Sequence, residues 1–216
     1  YDRVHWFRVD TAYAGGALTI RHTPERDSVY YAYFEPYSWE RHLDLLGRAE
    51  DSPRARVVDL GATPDGHDIN VIDITAEQPS AAAANRHVWI IARQHPGETM
   101  AEWLAEGLVA RLLDRDDAVA RQLLDQAIFH IVPNMNPDGS VRGNLRVNGT
   151  GANLNREWVS PSAERSPEVL HVRAAMERTG CAFFMDVHGD ETIPHVFVAG
   201  CEMLPDVTPQ QIAAQQ

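Results

Sequence analysis

The fold is decided by residues 87–109, which read HVWIIARQHPGETMAEWLAEGLV. Residues 87–92 form an apolar run, which is typical of a β-strand buried on both faces of a sheet. Pro96 and Gly97 then permit a tight turn, and the apolar residues after it recur at helical spacing. A buried strand, a polar turn and a helix in this order predict one unit of an α/β sheet.

The same pattern continues towards the C terminus. The mostly apolar segments 127–132 and 181–187 predict two further buried strands. Residues 116–126 and 167–178 have helical spacing, so strands and helices alternate along the chain. This alternation places the chain in the α/β class.

An antiparallel hairpin is predicted at the start of this sheet. Residues 56–60 and 69–75 alternate between apolar and polar side chains on either side of the turn sequence Thr63-Pro64-Asp65-Gly66. A short helical segment, residues 38–46, precedes the hairpin. Because a hairpin is antiparallel while strands joined by helices are parallel, we expect a mixed sheet.

The first residues have a different character. Segments 1–9, 17–21 and 29–34 are aromatic or alternate, which favours strands. So short a stretch does not fold alone. We therefore expect residues 1–35 to be the C-terminal part of an N-terminal β module, and residues 36–216 to be the α/β domain.

Composition and charge exclude several classes of function. The chain has 216 residues and a net charge of −12, and all 19 of its Lys and Arg residues are arginine. Without lysine there is no Schiff-base chemistry and no phosphate-loop lysine. An acidic chain disfavours nucleic acid as a partner, because phosphates need a basic surface. No run reaches the roughly 18 apolar residues of a transmembrane helix, so we expect no membrane association.

The cysteines and the N terminus bear on the compartment. Cys181 and Cys201 are the only cysteines, too few for a disulfide scaffold, so a reducing compartment is preferred. No basic-then-apolar leader opens the sequence, and we expect a cytoplasmic protein. Cys181 begins an apolar run and is expected to be a buried thiol.

His95, Glu98 and His188 are candidate metal ligands. The first two flank the tight turn, and His188 follows the predicted strand 181–187. Because ligands of open α/β sheets gather beyond the carboxyl ends of the strands, these side chains can meet. Two imidazoles and one carboxylate form a catalytic zinc set that leaves a position for water. An isolated His-x-x-Glu would instead indicate a surface turn and a helix N-terminal acid.

The long polar loop 133–159 supplies the other candidates. Loops above about 15 residues in a compact domain are usually functional. Arg146 and Arg156 suit a substrate carboxylate or a developing oxyanion, because a guanidinium stays charged and donates two parallel N–H groups. The alternative is that the arginines are solvated and that residues such as 136–139 only shape turns.

Four motifs carry a family resemblance: HPGE at 95–98, NPDG at 136–139, NLNREW at 153–158 and DVHGDE at 186–191. In this order they resemble the zinc carboxypeptidase family. The His-Pro-Gly-Glu form and the long gap to His188 resemble its cytosolic-carboxypeptidase-like subgroup, including bacterial members. Residues 31–40 resemble the segment that joins the N-terminal β domain of that subgroup to its catalytic domain. The resemblance implies a chain truncated at both ends, with its catalytic domain incomplete at the C terminus.

The resemblance also implies roles for individual residues. The ligands of one Zn²⁺ per chain would be His95, Glu98 and His188. Arg146 would steady the tetrahedral oxyanion, which contributes about 3 kcal/mol in comparable sites. Asn155 and Arg156 would hold the C-terminal carboxylate of the substrate, which makes such an enzyme an exopeptidase. The expected partner is the C terminus of a peptide or protein.

Two features depart from the family pattern. Asn153 stands where the family often has an aspartate bonded to a ligand histidine, so the acceptor oxygen is kept but its charge is lost. The family's general base is a glutamate well beyond the third ligand, and only Glu191 and Glu202 follow His188. We expect the base to lie outside this chain, Glu191 being a minor candidate, and His195 to be an accessory polar residue. The chain alone is then expected to hydrolyse peptides poorly.

The sequence therefore predicts a zinc-dependent metallocarboxypeptidase, a hydrolase that removes the C-terminal residue of peptides or proteins. Two alternatives remain open. One is a zinc-dependent deacylase or amidase, in which Asn155 and Arg156 would hold the carboxylate of a small acyl-amino acid. The other is a fragment that binds zinc or peptide without turnover.

Overall fold

A computed structural model describes residues 2–81, 83–193, 195–200 and 207–213. The β-strands are β1 Thr11–Ala14, β2 Ala17–Ile20, β3 Ala55–Ala62, β4 Asp68–Ile74, β5 His87–Ala92, β6 Ile128–Val132 and β7 Phe183–Val187. The α-helices are α1 Trp39–Glu50, α2 Thr99–Leu113, α3 Ala118–Leu124, α4 Pro137–Arg142, α5 Pro167–Thr179 and α6 Pro209–Ala213. Single 3₁₀ turns occur at Ala83–Asn85 and Leu154–Arg156.

Five strands form one mixed sheet in the order β3-β4-β6-β5-β7. The predicted hairpin of β3 and β4 is antiparallel, and β4 is also antiparallel to β6. Strands β6, β5 and β7 are parallel to one another, so their carboxyl ends lie at the same edge of the sheet. The predicted α/β class and mixed sheet are confirmed, and the loops after β5, β6 and β7 emerge together.

The apolar core lies on both faces of the sheet. One cluster packs the sheet against α1, α2 and α3, and the second packs it against α5. Strand β5 contributes Ile90 to the first cluster and Trp89 and Ile91 to the second. The apolar run at residues 87–92 therefore marks a strand buried on both faces, as predicted.

Helix α1 begins where the sequence indicates but extends further. The Ser38 hydroxyl accepts a hydrogen bond from the Arg41 N–H, which caps the helix. The helix continues to Glu50, beyond the predicted end at residue 46, because Ala49 still packs into the core at 0% exposure.

Strand β7 differs from the prediction of a third strand buried on both faces. It begins at Phe183 and pairs only with β5 among the described residues. Phe183, Phe184 and Met185 are 49%, 42% and 38% exposed, because β7 lies at an edge of the described sheet. Cys181, predicted to be a buried thiol, is exposed, while Cys201 lies outside the described residues.

The N-terminal segment contains fewer strands than predicted. Residues 17–21 hold β2, which pairs with β1 across a Gly15-Gly16 turn whose two φ angles are positive. The described residues of 1–9 and 29–34 contain no strand. Aromatic alternation favours an extended chain, but a strand also needs a hydrogen-bonding partner, which these segments lack among the described residues.

The described part of the chain contains no helix that is both long and apolar enough to cross a membrane.

Candidate metal centre

The three candidate ligands meet at the carboxyl edge of the parallel strands. In the register of β5 and β7, Ala92 lies opposite Val187. His95 and His188 follow these two positions closely, so the two loops deliver both imidazoles to one place. Glu98 is the N-cap residue of α2 and joins them from the helix that begins there.

The geometry of the cluster suits a cation. One donor atom from each of His95, Glu98 and His188 lies within 4.8 Å of the other two. Nδ1 of each histidine is 2.8 Å from a different oxygen of the Glu98 carboxylate. Two imidazole nitrogens and a carboxylate oxygen are a donor set that zinc accepts in catalytic sites.

The outer nitrogens of both imidazoles are anchored. Nε2 of His95 lies 3.1 Å from Oδ1 of Asn153, and Nε2 of His188 lies 2.8 Å from Oδ2 of Asp186. These oxygens accept an Nε2–H and hold each ring with Nδ1 towards the Glu98 carboxylate, so Nδ1 is the nitrogen that would lose its proton to bind a metal. Anchored outer nitrogens are the arrangement that metal-binding histidines show, so the donor set fits zinc.

The local electrostatics favour positive charge at this point. Burial works to raise the pKa of Glu98, but hydrogen bonds from the two histidines outweigh it and hold that pKa at about 2. The hydrogen bond to Asp186, followed by that to Glu98, raises the pKa of His188 to about 9. Two carboxylates, Asp186 and Glu98, thus face His188 and stabilise a positive charge there, as a cation site requires.

Arg146 lies beside His95. One of its guanidinium nitrogens is 3.1 Å from Nε2 and 3.3 Å from Nδ1 of that imidazole. The preceding residue holds it there, because the Leu145 carbonyl accepts a 2.9 Å hydrogen bond from the Gly97 N–H. A Cβ at Gly97 would lie 2.7 Å from the Leu145 side chain and 2.9 Å from its carbonyl oxygen, so this approach requires glycine.

Asn155 and Arg156 lie on the 3₁₀ turn Leu154–Arg156, which is linked to the cluster. Oδ1 of Asn153 caps this turn by accepting the Asn155 N–H at 3.2 Å, and the same oxygen contacts His95. Arg156 is exposed, and its guanidinium donates to the Asn155 carbonyl.

The two candidate arginines also differ from their neighbours in charge pairing. Arg93, Arg142 and Arg165 each form an ion pair with a carboxylate. Within the described part of the chain, no carboxylate oxygen lies within the 4.0 Å ion-pairing distance of Arg146 or Arg156. The guanidinium beside His95 and the exposed one on the linked 3₁₀ turn are therefore available to an external anion.

Some polar residues of the loop serve the fold. Asn136 is fully buried, and its side chain caps α4, so the segment 136–139, predicted as a turn, begins a short helix. Asp138 is also fully buried and accepts hydrogen bonds from Thr63 and His67 on the β3–β4 turn.

Glu191 and His195, which follow His188, do not join the cluster. Glu191 and His195 are exposed, and the group of potential metal ligands in the described chain does not include them. Glu202 lies outside the described residues.

A buried polar network that the sequence did not predict lies beneath the turn that carries His95 and Glu98. The Arg93 guanidinium donates to the carbonyl of Pro96, between the two candidate ligands, and to the Glu102 carboxylate. Glu102 is fully buried and lies 2.7 Å from Nδ1 of His42 on α1. The available signal was the position of Glu102, one helical turn after Glu98 on the inward face of α2.

Comparison with protein families gives two matches. Residues 40–194 match the model of the zinc carboxypeptidase family, and residues 1–34 match the cytosolic carboxypeptidase N-terminal domain.

Solved structures and curated proteins show the same similarity. A metallo-carboxypeptidase from Burkholderia cenocepacia is 58% identical with a TM-score of 0.96, covering 100% of this chain and 57% of its own. A metallo-carboxypeptidase from Pseudomonas aeruginosa, in complex with (2-guanidinoethylmercapto)succinic acid, is 46% identical with a TM-score of 0.94, covering 100% of this chain and 56% of its own. Human cytosolic carboxypeptidase 4 is 32% identical over 225 residues, which are 91% of this chain and 20% of that protein. The chain thus spans little more than half of the bacterial structures.

Proposed function

Since this chain belongs to the zinc carboxypeptidase family, we propose that the whole protein removes the C-terminal residue of peptides or proteins. The observation that carries the proposal is a His/Glu/His cluster with the Arg146 guanidinium against His95. Arg156 adds a second guanidinium on the turn that Asn153 links to His95. A carboxypeptidase needs both parts, because it must activate a peptide carbonyl and recognise a free terminal carboxylate.

His95, Glu98 and His188 are the proposed ligands of one zinc ion, which the donor geometry supports. Zinc is the metal of this family. When bound, it supplies a Lewis acid for the scissile carbonyl and lowers the pKa of a water molecule to about 7. Asn153 and Asp186 hold the two imidazoles in the tautomer that such binding requires.

Arg146 is proposed to stabilise the charge that develops on the carbonyl oxygen. Its guanidinium lies against His95, so a carbonyl oxygen next to the cluster would be within its reach. Because guanidinium remains charged at every relevant pH, it offers fixed N–H donors to an oxyanion. Loss of one such donor costs about 3–4 kcal/mol in comparable sites.

Asn155 and Arg156 are proposed to hold the C-terminal carboxylate of the substrate. The exposed Arg156 has no carboxylate of this chain, among the described residues, within ion-pairing distance. The Pseudomonas aeruginosa relative was solved with a succinic acid derivative, a dicarboxylate, which is the class of ligand that such an arginine binds. The proposed partner is a peptide or protein C terminus, and the names of the cytosolic relatives support a cytoplasmic location.

The test compares three substrate types with the whole protein loaded with zinc. One peptide is supplied with a free and with an amidated C terminus, and an N-acyl amino acid is the third substrate. The proposal predicts release of the last residue from the free peptide and at least tenfold slower reaction of the amide. Preferred cleavage of the acyl-amino acid would support the deacylase alternative, and no turnover of any substrate would support a non-catalytic binding role.

A further inference from the structure

A continuous series of hydrogen bonds connects Trp158 with His188. The indole N–H of Trp158 donates to Oε1 of Gln94 at 2.8 Å. Nε2 of Gln94 donates to Oδ2 of Asp186 at 2.5 Å, and that oxygen lies 2.8 Å from Nε2 of His188. The participants come from three places: the end of the 153–158 segment, the loop after β5, and strand β7 with the loop that follows it.

The chemistry of the series fixes its direction. An indole nitrogen can only donate, so the Gln94 oxygen must face Trp158 and its NH₂ group must face Asp186. An ionised carboxylate can only accept, so His188 must donate its Nε2–H. Each group thus determines the orientation of the next, and the ring of His188 is held with Nδ1 facing Glu98.

Burial prevents water from replacing these hydrogen bonds. Gln94 is 0% exposed, so its amide has no access to water. Oδ1 of Asp186 is buried and has no hydrogen-bond partner among the described residues. The carboxylate therefore depends on its other oxygen, which Gln94 and His188 share. Loss of the Gln94 N–H would leave Asp186 poorly solvated and free to turn away from the imidazole.

The other candidate ligand histidine depends on the opposite end of the same segment. Asn153 contacts Nε2 of His95, whereas Trp158 reaches His188 through Gln94 and Asp186. Asn155 and Arg156 lie between these two ends. We propose that Gln94 and Asp186 are positioning residues for His188, and that the segment 153–158 supports both imidazoles as one unit. The inference rests on the proposed function in taking His188 as a metal ligand.

The test removes the two groups separately and together. Gln94→Met keeps a side chain of similar length without the N–H donor, and Asp186→Ala removes the oxygen that Gln94 and His188 share. Because Gln94 acts on His188 through Asp186, loss of the Gln94 amide should matter only while Asp186 is present. Gln122→Met on the exposed surface of α3 is the control.

The readout is the zinc dissociation constant of the whole protein, measured by chelator competition, together with the visible spectrum of the cobalt-loaded form. We expect each single variant to raise the dissociation constant about tenfold or more and to change the spectrum. The double variant Gln94→Met/Asp186→Ala should bind zinc within about threefold of Asp186→Ala alone, and the control should match the parent. Trp158→Phe keeps an aromatic ring and removes the indole N–H donor, so it should weaken zinc binding by a smaller factor. This variant replaces a single variant that fails to fold.

The outcomes separate the two proposals. Parental affinity in both single variants, or a double variant that is weaker than Asp186→Ala by the full factor lost in Gln94→Met, would overturn the positioning role while leaving the zinc site intact. A parent that binds no zinc, or a His188→Ala variant that binds it equally well, would overturn the proposed ligand set and this inference together.

Discussion

Oδ1 of Asn153 lies 3.1 Å from Nε2 of His95. The family pattern often has an aspartate at this position, and the expected consequence of asparagine was an acceptor without charge. The amide oxygen does face the imidazole, and it also caps the turn that carries Asn155. A single neutral side chain therefore contacts a candidate ligand and caps the turn that carries the candidate binding residues Asn155 and Arg156.

This relationship predicts the effect of restoring the charge. Asn153→Asp keeps both acceptor contacts and makes the His95 ring more basic, so zinc should bind severalfold more tightly. Asn153→Ala removes both contacts and should weaken binding about tenfold or more. Chelator competition at constant pH measures both. Equal affinities for all three proteins would show that Asn153 does not act on the metal site.

The contact between Gly97 and Leu145 predicts a stability effect. Gly97→Ala places a Cβ 2.7 Å from the Leu145 side chain, so the Arg146 loop must shift, at a cost of about 1–3 kcal/mol in unfolding free energy. The control Gly107→Ala lies within α2 with no atom within 4 Å of the added carbon, and should stabilise by about 1 kcal/mol. Urea unfolding measures both, and destabilisation of both alike would contradict the packing account.

The two arginines should affect different kinetic constants in the whole enzyme. Arg156→Ala should raise KM about 10- to 100-fold and abolish the preference for a free C terminus, because a carboxylate is present in both ground and transition states. Arg156→Lys should recover only part of the binding, since it restores charge without the forked geometry.

Arg146→Ala should instead lower kcat about 100- to 1,000-fold, because the charge it meets exists only in the transition state. Steady-state kinetics on the free and amidated forms of one peptide compare the two variants. An unchanged ratio between these substrates in Arg156→Ala would disprove its carboxylate role.

The buried Glu168, which lies outside the candidate metal centre, should make the stability of the protein depend on pH. Burial raises its pKa from 4.5 to about 7, although Asn148 donates to its carboxylate. Between these values the unfolded chain loses the proton while the folded chain keeps it, so stability falls as pH rises from about 4.5 to 7, by up to about 3 kcal/mol.

Glu168→Gln removes this titration and keeps an acceptor for Asn148. The variant should be more stable than the parent at pH 8 and equal to it at pH 4, in thermal unfolding of the metal-free protein. The exposed Glu164→Gln should show no such difference. If the difference in stability between the parent and Glu168→Gln were the same at both pH values, the raised pKa of Glu168 would be contradicted.

The sequence predicted the elements that depend on residues close to one another in the chain. The strand at 87–92, the turn after it and the helix α2 follow from periodicity, and their junction carries His95 and Glu98. The hairpin of β3 and β4 follows from its turn residues. The aromatic segments 1–9 and 29–34 were predicted as strands, but pairing is not encoded in a segment's own pattern.

The connections around the cluster could not be predicted from sequence. Gln94 contacts Asp186 because β5 and β7 are neighbours in a particular register, which periodicity does not specify. The exposure of Phe183 follows from the position of β7 at an edge of the described sheet, although its sequence resembles that of a central strand. Chemical patterns thus identified the candidate ligands, whereas the groups that orient them depend on tertiary structure.

The account is tested most directly by the zinc content of the purified protein beside His188→Ala, measured by elemental analysis after dialysis against a weak chelator. His5→Ala, which changes a side chain that is 87% exposed, is the control. The account predicts one zinc per chain in the parent and in the control, and its loss from His188→Ala. Equal zinc in all three proteins, or none in the parent, would contradict it.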